Sequence, residues 1–363
     1  MKILYVTTIG GTMDFFKKFI KELIAKGHSV DIATNDSISK VSDCFYQWGC
    51  KVYSISTSRS PFSFGNIKAI KQIRNIAKDY DIVHCHTPLA GMATRLACRK
   101  LRKRQGFKVI YTAHGFHFYK GAPKKNWMIY YPIEKICSKW TDVLITINKE
   151  DYELAKKKMK AKRVEYVPGV GIDVKKFSSV VVDKNKKREE LGIPENAYLI
   201  LSVGELNQNK NHQVVIKAIS KLNNQNIHYA IAGIGDQKEN LEKLAKDLNV
   251  NLHLLGYRKD VAELYHMADL FAFPSIREGL GLAAIEAMAS GLPLICSDNR
   301  GTREYAFDGA IVCKYDDFNA FANGIEKIYL GKHSNEMGLC NQSFVKNFDV
   351  NIIIDQVTGI YEK

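Results

Sequence analysis

Residues 270–293 read as one strand, one turn and one helix, and that order restricts the chain to an α/β fold. The run Leu270-Phe271-Ala272-Phe273 is apolar enough for a buried strand, and Pro274-Ser275 breaks it. Two glycines, Gly279 and Gly281, let backbone come close to a ligand. Good helix formers run from Leu282 to Ser290, and Gly291-Leu292-Pro293 stops them. A helix start offers free N–H groups and the positive end of the helix dipole, which together suit a phosphate. Glu278 stands just outside that start and Glu286 about one turn inside it.

Two acids eight residues apart admit several readings. One is a charge favouring the dipole plus a solvated helix glutamate. Another is a glycosidase acid and nucleophile, although such pairs usually come from separate strands and loops. The Ala/Met-rich helix would bury Glu286 without a partner. A phosphate site bracketed by two carboxylates fits a sugar nucleotide, with sugar hydroxyls on one side and ribose on the other. Each carboxylate can accept two hydroxyl hydrogen bonds.

The remainder repeats the same alternation. Residues 2–8 read as a strand, Gly10-Gly11 as a tight turn or a ligand loop, and Asp14 as the N-cap of a helix over 15–26. A strand at 29–34 completes a βαβ unit that lacks the GxGxxG fingerprint. Further strands are expected at 52–56, 81–86, 109–113, 143–147 and 164–168. His114 ends one of them, where doubly wound sheets bind ligands; His84 and His86 read as core or crevice wall. The polar, basic stretch 180–188 reads as an interdomain linker. A second α/β series then begins at 198, with strands at 199–204, 229–232, 252–255, 270–273, 294–296 and 310–312. Asp260 and Glu263 have capping-box spacing for a helix ending at Met267.

At 363 residues, two domains with separate cores are expected. No apolar run reaches the length of a membrane span, and the run 3–6 is too short for a signal peptide. The eight cysteines form no CxxC pair and read as reduced core residues of a cytoplasmic protein, without a zinc site. The net charge of +15 is unevenly spread: residues 1–170 carry 31 Lys+Arg and 13 Asp+Glu, whereas 171–363 carry 22 and 25. Without a recognition motif, nucleic acid is not an expected partner. An anionic membrane surface is, since each nearby Lys or Arg contributes roughly 1 kcal/mol there. Phe116, Phe118, Tyr119 and Trp127, among Lys120, Lys124 and Lys125, are expected to add apolar insertion.

The acid pair within Pro274-Ser275…Glu278-Gly279…Glu286-Ala287-Met288-Ala289…Gly291-Leu292-Pro293 resembles the retaining glycosyltransferases of family 4, which have the GT-B fold. The likeness continues through Val203-Gly204…Lys210, Gly256-Tyr257-Arg258, residues 170–177, the Gly10-Gly11 loop and Thr112-Ala113-His114-Gly115. Gly115-Phe116-His117-Phe118-Tyr119 and Gly204-Glu205-Leu206-Asn207 look like bacterial capsule or exopolysaccharide enzymes. The resemblance implies that Glu286 binds the ribose and Glu278 the donor sugar. It implies that the amides at Gly279, Gly281 and Leu282 face the distal phosphate, that Lys210 meets the leaving diphosphate, and that Arg258 flanks the base. Gly10 and Gly11 would contact the donor, and His114 would reach the sugar from the opposite domain. Many relatives carry arginine where this chain has Glu205; Arg300 or Arg303 is the expected substitute.

The expectation is an α/β chain of two Rossmann-like doubly wound domains facing across a cleft: 1–172 for the acceptor, 173–345 for the nucleotide sugar, and a 346–363 helix packing back on the first. The activity expected is retaining transfer from a nucleotide sugar, a UDP-sugar, to a saccharide or polyprenyl-diphosphate-linked acceptor. No cofactor or essential metal is expected. Location is expected to be cytoplasmic, peripheral on the inner face of the membrane. A UDP-sugar epimerase or phosphorylase of the same fold, and a non-catalytic membrane-docking protein, are the alternatives.

Overall fold

The computed structural model describes every residue except 59, 61, 62, 332 and 333. The chain divides into two compact units, Met1–Gly171 with Val350–Lys363, and Ile172–Asp349.

The first unit carries strands β1 (Lys2–Ile9), β2 (Ser29–Asn35), β3 (Val52–Ser54), β4 (Ile82–His86), β5 (Lys108–Ala113), β6 (Val143–Thr146) and β7 (Arg163–Tyr166). They form one parallel sheet in the order β3-β2-β1-β4-β5-β6-β7. The second unit carries β8 (Tyr198–Val203), β9 (Ile227–Ala232), β10 (Asn251–Gly256), β11 (Leu270–Phe273), β12 (Leu294–Ser297) and β13 (Ala310–Cys313). Its parallel order is β10-β9-β8-β11-β12-β13. Each order reverses beside its first strand, between β1 and β4 and between β8 and β11. Such switch points open a crevice beyond the carboxyl ends of the strands.

Strand alternation explains why both sheets are covered on two faces. In β1, Ile3 and Tyr5 face one buried cluster with Phe19, Ile20 and Leu23 of the helix Lys17–Ala25. Leu4 and Val6 face another, with Ala90 and Ala93 of the helix Pro88–Cys98. The final helix, Val350–Glu362, contributes Ile353, Ile354, Val357 and Tyr361 to the first cluster. The Tyr361 hydroxyl lies 2.9 Å from that of Tyr5 and 2.6 Å from His84 Nδ1.

Several sequence expectations give way to tertiary contacts. Asp14 is not an N-cap: a 3-10 turn, Gly10–Phe16, precedes the helix, and the Asp14 carboxylate accepts from Ser42 at 2.7 Å and pairs with Lys17 at 3.0 Å. The stretch expected to be a linker contains the N-cap and most of a helix, Lys184–Glu190, within the second unit. Its Arg188 is buried, donating to Met267 O, Glu195 O, Ala197 O and the Asp269 carboxylate. Asp260 does not close a capping box: it bonds Arg258 and Lys187. Phe116 and Phe118 are core residues, stacked with centroids 4.8 Å apart. Trp127 is partly buried and donates to Tyr119 O at 3.1 Å.

Candidate active site

At the switch point of the second sheet, two loops are tied together by one backbone bond and two asparagine side chains. Ile276 N donates to Asn209 O at 2.8 Å, Asn209 Nδ2 to Arg277 O at 3.0 Å, and Asn211 Nδ2 to Pro274 O at 3.2 Å. Asn207 Oδ1 accepts from Lys210 N at 3.0 Å. These ties fix the root of Lys210, whose Nζ lies 2.7 Å from Glu278 Oε1 and 5.2 Å from the Phe273 ring centroid. Gly204 lies against the Lys210 chain, its Cβ position 3.2 Å from Lys210 Cε, and Gly233 packs in turn on Gly204, where a Cβ would stand 1.8 Å from Gly204 O.

Gly281 sets the start of the helix Leu282–Ala289 in the left-handed region, at φ 92°. A Cβ there would meet the Phe273 ring at 2.7 Å and the Tyr305 hydroxyl at 2.8 Å. Glycine brings no capping side chain; its backbone carbonyl accepts from Ala284 N at 3.1 Å, and the N–H groups of Leu282 and Ala283 receive no side-chain cap from it. Arg300 is buried on the same loop cluster and its Nε donates to Glu278 O at 3.3 Å. Asn299 shapes the turn holding it, donating to Ser275 O at 3.0 Å and accepting from Gly301 N at 3.0 Å. Arg303, the other arginine considered, pairs with Asp298 at 2.7 Å.

Glu286 points from this helix toward Tyr265, whose buried hydroxyl donates to Glu286 Oε2 at 3.0 Å. Burial pushes the Glu286 carboxyl up to about 7, against the Tyr265 hydrogen bond and the charge of Lys176. Glu205 is exposed and accepts from Asn207 Nδ2 at 2.8 Å. Arg258 stands in a separate charge cluster, its Nε donating to Asp260 at 2.8 Å and its guanidinium reaching Glu190 at 3.3 Å. Lys187 joins that cluster through Asp260 at 2.6 Å and Glu263 at 2.8 Å.

In the first unit, Gly10 and Gly11 pack on the segment after β2. A Cβ at Gly10 would lie 2.1 Å from Ser39 O, and one at Gly11 2.7 Å from Ser39 Oγ. His114 is exposed, and its Nε2 lies 3.1 Å from His86 Nδ1. The His86 ring is buried between Phe16, at 4.4 Å, and His84, at 4.2 Å. Burial holds both His84 and His86 well below the ordinary histidine range, so neither is a proton carrier near neutrality. Thr87, which follows His86, has φ 65°, a strained conformation for a β-branched residue.

The geometry thus unites Lys210, Glu278, Arg300 and the Gly281 turn, and places Glu286 one turn along the same helix. Together they present cationic groups and open N–H donors to an anion, with carboxylates for hydroxyls. Tyr265, Phe273 and Asn299 were not singled out from sequence. Tyr265 and Phe273 are ordinary types for a helix or strand core and Asn299 for a turn, and only the fold sets them beside the acids. Gly233-Ile234-Gly235 directly after β9 was the available signal for the close approach at Gly204.

Comparison with known proteins adds an independent finding. The family model described as "Glycosyl transferases group 1" matches residues 183–338, and "Glycosyl transferase 4-like" matches residues 2–148. The chain is 42% identical over 287 residues to "Putative glycosyltransferase EpsD" of Bacillus subtilis (strain 168), covering 76% of this chain and 75% of that protein. It is 28% identical over 317 residues to an Escherichia coli UDP-Gal:alpha-D-GlcNAc-diphosphoundecaprenol alpha-1,3-galactosyltransferase, covering 82% and 81%. The fold matches that of Anabaena Alr3699/HepE in complex with UDP, with a TM-score of 0.83, 17% identity and full coverage of both chains, 100% each.

Proposed function

Because the chain belongs to the family 4 glycosyltransferases, among enzymes of bacterial exopolysaccharide type, we propose that it transfers a glycosyl group from a UDP-sugar, with retention. The acceptor in this reading is a saccharide or a polyprenyl-diphosphate-linked saccharide, reached on the inner face of the cytoplasmic membrane. The observation that carries the donor reading is Lys210 beside the glycine-started helix, with Glu278 just before its start and Glu286 one turn inside it. The UDP complex of the structural neighbour and the diphosphoundecaprenol acceptor in the relative's name support the choice of substrates. Among the described residues, no helix is long and apolar enough to cross a membrane.

In the proposed reaction the bond between the anomeric carbon and the diphosphate oxygen breaks. An acceptor hydroxyl oxygen bonds that carbon on the same face, and its proton leaves with the diphosphate. Lys210 and the first-turn N–H groups of the helix Leu282–Ala289 stabilise the charge growing on the leaving group. Arg300 adds a second cation from the Glu278 side. Glu286 accepts from the ribose and Glu278 from the donor sugar. With these cations in place, the reading assigns no cofactor or essential metal.

A panel of nucleotide sugars tests this reading by acceptor-dependent UDP release. One UDP-sugar should give release that requires acceptor, with the anomeric configuration kept in the product. Turnover of the UDP-sugar without acceptor would overturn it in favour of epimerisation.

A further inference from the structure

The carboxyl ends of β4 and β5 bring three histidines into one group, and the reaction above uses none of their mutual contacts. In the parallel register His86 pairs with Thr112, and strand side chains alternate, so His84, His86 and Thr112 share one face of the sheet. Each histidine of β4 bonds the residue two places beyond its register partner. His84 Nε2 lies 2.8 Å from Thr112 Oγ1, and His86 Nδ1 lies 3.1 Å from Nε2 of His114, which follows β5 directly. The rings then differ. His84 has both nitrogens occupied, since its Nδ1 lies 2.6 Å from the Tyr361 hydroxyl. His86 Nε2 is buried and has no hydrogen-bond partner. His114 is exposed, and its Nδ1 has no hydrogen-bond partner among the described residues. The backbone around the pair is held on both sides. Phe116 N donates to the buried Asp151 carboxylate at 3.0 Å, and the hydroxyl of the strained Thr87 lies 2.6 Å from that of Thr8. Strain of this kind persists only where the surroundings enforce it.

We propose that His86 is a positioning residue that fixes the tautomer of His114, keeping the proton of that ring on Nδ1, where it is offered to an oxygen of the donor sugar. A neutral His86 carries one ring proton. On Nε2 that proton would be a buried N–H without an acceptor, which proteins rarely tolerate. On Nδ1 it is donated to His114 Nε2, and the atom left without a partner is a lone pair, the less costly omission. Burial disfavours a second proton on His86. With its Nε2 accepting, His114 carries its own proton on Nδ1, because the bond at one ring nitrogen sets the state of the other. The role assigned to His114 is donor and not base. In the proposed reaction the acceptor's proton leaves with the diphosphate, so no histidine has to take it. The inference takes its ligand from the donor reading above, but the tautomer is observable without any ligand.

The experiment is NMR of the imidazole nitrogens in the full chain without ligand, at about pH 8, above the ordinary histidine value of about 6.5. The His114 signals are identified by their loss in His114→Gln. In wild type, Nδ1 of His114 should be the protonated nitrogen and Nε2 the bare one. His86→Leu should let the two tautomers mix, since nothing on that side then selects between them. The same variant should lower kcat/KM for the UDP-sugar by about tenfold, the worth of one hydrogen bond, with UDP affinity by calorimetry unchanged. His86→Asn returns a side-chain N–H to the same reach and should recover most of that loss. The wild-type spectrum needs no variant, so it decides the matter even if His86→Leu fails to fold. A proton on Nε2 of His114 in wild type would overturn the proposal. So would a folded His86→Leu protein with an unchanged tautomer or with wild-type kcat/KM. Absence of transfer from every nucleotide sugar, with His114 protonated on Nδ1, would overturn the donor reading and leave the role of His86 standing.

Discussion

Lys210 and Glu278, 68 residues apart in the chain, are joined by a bond of 2.7 Å from Nζ to Oε1. The cation proposed for the leaving group and the acid proposed for the sugar are thus each other's partner in the protein. A bound diphosphate would draw the ammonium away and leave Glu278 free to accept hydroxyls. The pair holds both side chains near their working positions without leaving either charge unmatched.

Lys210→Ala should lower turnover by about a hundredfold or more, the scale of a single electrostatic donor to a developing anion. Single-turnover rates at saturating donor measure the effect on the chemical step. A folded Lys210→Ala protein with normal turnover would remove Lys210 from the reaction.

The two glutamates should separate by ligand. Glu286→Gln should weaken binding of UDP itself, because the ribose is present without any sugar. Glu278→Gln should leave UDP affinity nearly intact and impair transfer. Calorimetry on both variants compares them directly, and equal loss of UDP affinity would mean that their roles around the phosphate are misplaced.

UDP affinity should rise with pH through about 7 and level off above it, because the ribose hydroxyls need an ionised Glu286. Tyr265→Phe removes a hydrogen bond that lowers this value, so the midpoint should move to higher pH; a midpoint that stays put would limit Tyr265 to packing. Lys176 is the charged group acting against it, while nearby Ser290 and His266 bond Phe177 O. Linkage gives the sign for stability. The folded value lies above the ordinary 4.5, so the folded state holds the extra proton between 4.5 and about 7, and stability from this group falls as pH rises through that window. Glu286→Gln should lack that decline, as read from the difference in melting temperature between pH 5 and pH 8.

Gly281→Ala should destabilise the second unit by about 1–3 kcal/mol, the cost of a strained left-handed residue, before the collision with Phe273 is counted. Gly233→Ala should be worse, because its Cβ would lie 1.8 Å from a backbone oxygen that cannot rotate away. Thermal unfolding of both variants checks the order. An unchanged melting temperature for Gly233→Ala would contradict the close approach of Gly233 to Gly204 O.

The doubly wound fold was legible because its signal is periodic: apolar runs such as 270–273 alternate with amphipathic segments whatever their partners are. Glu278 and Glu286 stood out because they flank a glycine-bearing helix start and the Ala/Met-rich helix buries Glu286; Lys210 was reached only through the family resemblance. Local rules failed where a distant group offered a better partner. Asp14 prefers Ser42 and Lys17 to a helix end, and Asp260 prefers Arg258 and Lys187. Arg188 looked like linker because its type is normally solvated, yet it closes several carbonyls at once. Tyr265 was invisible because its role lies in a hydroxyl aimed at a residue 21 positions away.

The helix Val350–Glu362 also sets an order of events during synthesis. It belongs to the first unit, yet it is translated after every residue of the second. Until it emerges, Tyr5 and His84 lack Tyr361, and the face of the first sheet that it shares with the helix Lys17–Ala25 is only partly covered. The second unit, whose residues are contiguous, has its whole sequence available earlier. The half of the chain that leaves the ribosome first is therefore the half that finishes folding last, and a chain stopped short of Val350 would carry a complete second unit beside a first sheet lacking part of its cover.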